Sequence, residues 1–523
     1  MKRRDYLFLW GMGLFILCGV AVFQRTPGYM DAEYYYTTAL RIANRKGFTE
    51  PFLWNYLGDI QTIPAPSYGY WMPLASFLAL GGIKLGTCGF SAARMGFLLV
   101  GALIPPLTAA LAYSLAKERK IALLAGIMAS FSSFYLPFLP TTDTFGIYML
   151  CGGVFLLLLT HKDWKFTPLS LGVLAGLMHL ARADGLLWLG VAALALGFPS
   201  PCGRGARDEG KKVVIKNYLL LILGYLLIFG PWMLRNLLVF SSPLGSGSLK
   251  TLWLTTYDEL YTYPADNLNF TRWWSRGLKT ILKDRLWALG MNLQTALAIQ
   301  GQIMLAPLIL LGGWNLRRDG RVVLGSLAWL GTLSVMTLIF PFAGARGGFF
   351  HSGAALQTLF WALSAVGLHE LVSWGTEKRD WQLSQAWGVL GTGIVLLLIG
   401  VSIFIVQNRV VGNNPSSPVW NANYQKTQEL EEVLLTLGAM PEDVVMINNP
   451  PGYSLVSTRP TIVIPNEDMD TLLTVAEEHN AKYLVLENNH PQPLDELYTS
   501  PRSHGKLRYL QSQDGAHFFE IEE

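Results

Sequence analysis

At 523 residues, with 51% hydrophobic and only 15% charged side chains, the chain is too long for one ordinary compact domain and too apolar for a soluble one, in which about a quarter of residues are charged. A formal net charge of +4 implies no basic surface for nucleic acid, and a mean hydropathy of +0.33 agrees with a membrane chain. Cys18, Cys88, Cys151 and Cys202 are widely spaced and two fall inside apolar runs, so neither a disulfide framework nor a zinc site is indicated.

The chain opens Met1-Lys2-Arg3-Arg4 and enters an apolar run from about residue 6 to 23. Gln24-Arg25-Thr26-Pro27 offers no small-x-small cleavage site, so this run reads as an uncleaved first span. A crossing helix needs about 20 apolar residues. Runs of that kind lie at roughly 7–23, 71–86, 92–115, 121–139, 143–160, 168–181, 185–198, 217–238, 296–313, 322–342, 349–372 and 385–406. The run at 71–86 is short and contains Lys84, so the charges between runs must decide whether it crosses.

With 71–86 lying in the outer interface, the basic loops fall on one side of the membrane, as the positive-inside rule requires. They carry Lys2, Arg3 and Arg4; Lys117, Arg119 and Lys120; Lys162 and Lys165; Arg204, Arg207, Lys211, Lys212 and Lys216; Arg317, Arg318 and Arg321; and Lys378 and Arg379. Eleven crossings follow, with the N-terminus cytoplasmic and the C-terminus external. Two large external loops then run over about 24–91 and 239–295. In the first, residues 31–46 have the spacing of an interfacial helix. The second is rich in Trp and Tyr, as a headgroup-level aromatic belt is.

From about residue 407 the pattern changes. Asn413-Asn414-Pro415-Ser416-Ser417-Pro418 is linker chemistry. Beyond it come a helix near 423–437, strands at 444–447 and 461–464, a helix at 468–479 opened by Glu467 or Asp468, a strand at 482–487 and two more short ones. This alternation predicts a small external α/β domain over 407–523, with a largely parallel sheet. Asn448-Asn449-Pro450-Pro451-Gly452-Tyr453 reads as a rigid loop able to recognise an acceptor or cover a site, or as plain turn chemistry.

Ionisable groups at the hydrocarbon boundary are costly, so their positions are informative. Four places gather on the outer side: Asp31 and Glu33 after the first span, Asp143 in a tight turn, Arg182 and Asp184 in a hairpin, and Arg346 with His351 at the entry to a later span. Each has a plain alternative. The acids fit helix N-termini, Arg182 and Asp184 can simply pair, Arg346 can anchor to headgroups, and a lone histidine is usually a satisfied interior residue. Their coincidence on one face carries the functional reading. Sugar transfer from a lipid phosphate needs a carboxylate to take a proton from the acceptor hydroxyl. It also needs fixed cations to hold the charge of the departing phosphate.

These residues resemble the membrane-embedded glycosyltransferases of the GT-C fold, close to the protein O-mannosyltransferase and lipid A aminoarabinose transferase group of glycosyltransferase family 39. The stretches that carry the likeness are Tyr29-Met30-Asp31-Ala32-Glu33-Tyr34-Tyr35, Tyr70-Trp71-Met72-Pro73-Leu74, Ala92-Ala93-Arg94, Leu139-Pro140-Thr141-Thr142-Asp143 and Leu180-Ala181-Arg182-Ala183-Asp184-Gly185. The likeness is good over about residues 1–200 and looser to 372, and it leaves the tail out. It implies a transferase domain over 1–406. Asp31 would be the general base with Glu33 supporting it, and Asp143 the second acidic group. Arg182 and Arg346, with His351 beside them, would bind the donor phosphate. It implies no catalytic metal, although Asp31, Glu33 and Asp143 can form an oxygen-rich divalent site. Ala32 separates the two acids where the mannosyltransferases have them adjacent, which argues against a protein acceptor.

The expectation is therefore a polytopic α-helical GT-C-like protein of the cytoplasmic membrane. It would be an inverting transferase that takes a monosaccharide from a polyprenyl-phosphate donor to a glycan, lipid or protein hydroxyl, with membrane lipids and no nucleic acid as partners. Two other classes remain. A lipid-linked sugar flippase would show broken helices and repeated halves, and Pro105-Pro106 is a candidate break. A non-catalytic scaffold would tolerate the loss of Asp31.

Overall fold

The computed structural model describes residues 1–58, 62–86, 89–161, 164–197, 207–247 and 249–522. Cys88, Cys202, Lys162 and Arg204 of the expectations above lie outside these residues, as do the side chains of Arg207, Lys211 and Lys212. Among the described residues, six helices are long and apolar enough to cross a bilayer: Arg3–Ala21 (α1), Phe90–Ala116, Val213–Phe240, Gly320–Ile339, Pro341–Arg379 and Leu383–Val411. Shorter apolar helices occupy Phe145–Leu158, Thr167–Ala181 and Ala183–Gly197. This is a multi-pass membrane chain.

Leu74–Leu85 (α3) has 12 residues, about 18 Å of helix at 1.5 Å per residue. That is short of the roughly 30 Å hydrocarbon core, as are several of the other apolar helices, so length alone does not set α3 apart. Met30–Ala43 (α2) forms where its spacing predicted a helix, but it does not lie on a surface. Its residues 32–39 are all buried, because α3 covers one side and tail residues the other. Pro105 and Pro106 sit inside the unbroken helix Met95–Ala116, so they make no break. Membrane helices tolerate such freed carbonyls where neighbours pack closely. The expected span 296–313 is interrupted. A wide turn at Ala296–Gln300 gives way at Gln302 and Ile303, both in the left-handed region, before Ala306–Asn315 resumes. The expected run 121–139 is likewise a helix over Arg119–Ser130 followed by a tighter 3-10 stretch over Ser133–Phe138.

In the tail the two expected helices form over Ala422–Thr436 and Met469–Glu478, the latter capped by Asp468, whose carboxylate accepts the Thr471 N–H at 3.1 Å. Strands Thr461–Ile462, Val444–Met446 and Ala481–Leu486 pair in parallel, and Ala481–Leu486 continues antiparallel through Ala516–Ile521 to Leu507–Gln513. Two features were not anticipated. Phe52–Leu53 of the first loop pairs in parallel with Thr461–Ile462 and completes a six-stranded sheet, so loop and tail share one sheet. The segment read as a rigid loop is a helix, Pro450–Ser457, started by the Asn449 side chain on the Gly452 N–H at 3.2 Å.

Candidate active site

Asp31 occupies the first turn of α2, whose preceding residue Tyr29 is extended and whose chain then turns helical. The Tyr29 hydroxyl donates to Asp143 Oδ2. The backbone N–H and hydroxyl of Thr144 donate to the other oxygen of Asp143, which is fully buried. His351 Nε2 stands 3.4 Å from Asp143 Oδ2 and 3.9 Å from Asp31 Oδ2. Its ring stacks on Phe145 at 4.0 Å between centroids, and its Nδ1 bonds the Gly347 carbonyl at 3.1 Å. A carbonyl can only accept, so Nδ1 carries the proton and Nε2 faces the two acids.

Asp31 differs from Asp143 in remaining open, with 34% of its side chain accessible. It accepts a hydrogen bond from Trp71. Burial pushes its carboxyl up to about 6, and the Asp143 charge adds to the rise, while His351, Arg182 and the Trp71 bond oppose it. That suits a base working near neutrality.

Arg182 pairs through Nε with Asp184 Oδ1 at 2.8 Å, and Asp184 also takes the Tyr148 hydroxyl at 3.3 Å. Among the described residues its two terminal nitrogens have no hydrogen-bond partner. Arg346 lies in a wide helical turn, Gly344–Gly348, where Gly347 at φ 121° takes a conformation closed to most side chains. Its guanidinium stands 5.2 Å over the Tyr257 ring. The Arg346 side chain is exposed, and among the described residues no hydrogen bond or ion pair ties it to the acid group.

Glu33 is elsewhere. Two residues along a helix are about 200° apart, and Glu33 points back into the tail. Its oxygens accept Asn423 Nδ2 at 3.3 Å and Asn449 Nδ2 at 2.9 Å. A Cβ on Gly452 would lie 2.5 Å from Glu33 Oε2, so a larger residue there would have to displace the carboxylate. The oxygen-rich set of Asp31, Glu33 and Asp143 is therefore not assembled, and His351 stands where Glu33 was expected. Asp31, Asp143 and His351 place one ligand atom each within 4.8 Å of one another. Two carboxylates and an imidazole with its far nitrogen anchored suit a divalent transition ion better than calcium or magnesium.

Several contributors escaped the sequence reading. Tyr29 and Trp71 carry no role in the sequence pattern alone, and Tyr257 belongs there to the Trp- and Tyr-rich second loop. Gln300 was passed over, although an amide inside an apolar run is a signal in itself. Its Nε2 donates to the Phe349 carbonyl at 3.3 Å, its Oε1 accepts Trp329 Nε1 at 2.7 Å, and its own carbonyl accepts Gln357 Nε2 at 3.0 Å. This knot holds the segment that carries Arg346 and His351. Arg94 of the quoted motif is spent on the end of α1, where its guanidinium donates to the Ala21 carbonyl at 2.8 Å.

No protein-family model matches the chain, and no curated protein matches it in sequence. Solved structures do. The oligosaccharyltransferase of Archaeoglobus fulgidus, in a complex with Zn and sulfate, aligns over 98% of this chain and 73% of its own with a TM-score of 0.58 at 14% identity. ArnT from Cupriavidus metallidurans, bound to undecaprenyl phosphate, aligns over 99% and 98% with a TM-score of 0.50 at 13% identity. The chain has the GT-C fold. At such identities the likeness shows the GT-C architecture alone.

Proposed function

We propose that this GT-C chain is an inverting glycosyltransferase that moves a monosaccharide from a polyprenyl-phosphate donor to an acceptor hydroxyl on the external face of the cytoplasmic membrane. The observation that carries the reading is the open carboxylate of Asp31, set against Asp143 and His351, at an opening that also holds the free nitrogens of Arg182. Asp31 takes the hydroxyl proton as that oxygen attacks the anomeric carbon from the side opposite the phosphate. One C–O bond forms, the C–O bond to phosphate breaks, and the phosphate leaves with the electron pair. Arg182 and Arg346 hold its growing charge. Asp143, fixed by Tyr29 and Thr144, orients His351 and through it Asp31. Glu33 positions α2 from behind.

If a divalent ion binds, Asp31, Asp143 and His351 hold it, and it supplies positive charge at the phosphate. The neighbours' undecaprenyl phosphate, zinc and sulfate suit such a site. In this reading the N-terminus is cytoplasmic, eleven helices cross, and residues 407–523 form the external domain.

The test is transfer of label from radioactive polyprenyl-phosphate sugars in proteoliposomes, with a cell-envelope extract as acceptor and with EDTA in parallel. Label joined covalently to acceptor supports the transferase, and the EDTA arm reports whether an ion is required. Label that only crosses the bilayer supports a flippase instead.

A further inference from the structure

A cleft of about 570 Å³ lies between the second external loop and the tail, away from the acid group. Glu259, Thr262, Asn269 and Arg272 form one wall, and Asn466 and Glu467 the other. None of its described lining side chains is apolar, so a lipid tail has little to bind there. The charges are also mixed. Arg272 donates to Glu259, and Glu467 stands opposite, so a metal ion meets a guanidinium and a phosphate meets two carboxylates. What remains is a neutral ligand that both gives and accepts hydrogen bonds through closely spaced hydroxyls.

The walls are held in place before any ligand arrives. Glu259 accepts from the N–H and hydroxyl of Thr255, and Glu467 accepts the Tyr263 N–H at 3.0 Å. Asn269 caps the helix Phe270–Ser275 by accepting the Arg272 N–H at 3.0 Å, so its carboxamide is committed to the cleft wall. The Asn466 carboxamide has no hydrogen-bond partner among the described residues.

Aromatic rings connect this cleft to the acid group. Trp71 bonds Asp31, the Trp71 and Trp54 rings lie 4.1 Å apart, and Trp54 meets Tyr261 at 5.8 Å. The Tyr261 carbonyl accepts the Asn466 N–H at 3.1 Å. These rings pack on one another, with Trp54 only 3% exposed, so they fix the cleft relative to the acid group, and it is the polar lining that matches the hydroxyl rim of a pyranose.

We propose that the cleft is a glycan subsite, binding a neutral saccharide unit of the acceptor set back from the hydroxyl that Asp31 deprotonates. The inference rests on the transferase reading for its place in the reaction, and it narrows the acceptor class to a glycan or a glycan-bearing molecule. Its test needs no donor and no turnover. The full chain in nanodiscs is titrated with maltotetraose and chitotetraose as probes, and contact is read by saturation-transfer NMR. The expected result is contact with at least one probe, weakened roughly tenfold by Asn466→Leu or Glu467→Gln through lost hydrogen bonds and unchanged by Asp31→Asn. Using two cleft variants guards against one that fails to fold. No contact with either probe, or contact unaffected by both variants, overturns the proposal. Contact retained by a protein that shows no transfer would leave the cleft standing and remove the transferase reading alone.

Discussion

Asp31 and Glu33 are two acids two residues apart on one helix, and their surroundings give them opposite work. Asp31 is partly open, faces His351 and Asp143, and keeps acceptor capacity free. Glu33 is 1% exposed, with each oxygen taken by an asparagine amide of the tail. Burial pushes both carboxyls upward, so titration alone does not separate them. Access does. A carboxylate sealed from solvent cannot meet a substrate hydroxyl without opening the fold, while one left open can.

The largest effect should come from the open face. Asp31→Asn keeps the shape and removes the proposed base, and the expected loss in kcat is about 10²- to 10⁴-fold, the usual share of general base catalysis, with an unchanged melting temperature. Arg182→Ala removes a cation rather than the base. Hydrogen bonds to charged groups are worth about 1.5–3 kcal/mol, so donor KM should rise about 10- to 100-fold, measured by varying the polyprenyl-phosphate sugar.

A pH profile sharpens the same contrast. The Asp31 carboxyl is held up at about 6 and must be ionised to act. Transfer in buffer stripped of divalent ions should therefore climb with pH through about 6 and then level off. A profile already flat from pH 4.5 would show that the site does not raise it. The smallest effect on chemistry belongs to the closed face. Gly452→Ala pushes a Cβ to 2.5 Å from Glu33 Oε2 and 2.4 Å from Asn449 Nδ2. It should lower thermal stability by about 1–3 kcal/mol, the cost of stranding buried polar groups, while donor KM stays put.

How much of this was legible depends on range. Apolar runs reported the six helices long enough to cross a bilayer, because lipid constrains every residue that faces it. Local chemistry reported the Asp468 cap and most tail strands. What stayed hidden was pairing across hundreds of residues. Nothing near Glu33 signals Asn449, and nothing in Phe52-Leu53 signals Thr461-Ile462. His351 was grouped with the arginines because it follows Arg346 in the chain, whereas the fold turns its Nε2 to the two acids. Gln300 was hidden for a different reason, since one amide in an apolar run barely changes the hydropathy that identified the run.

The most direct measurement sets Asp31→Asn beside Glu33→Gln in one proteoliposome transfer assay, with unfolding curves for both. Background transfer by Asp31→Asn at full stability, and near-normal transfer by Glu33→Gln, is the expected result. Equal transfer by wild type and Asp31→Asn, or loss of transfer confined to a stably folded Glu33→Gln, would contradict the assignment of chemistry to one face of the helix and support to the other.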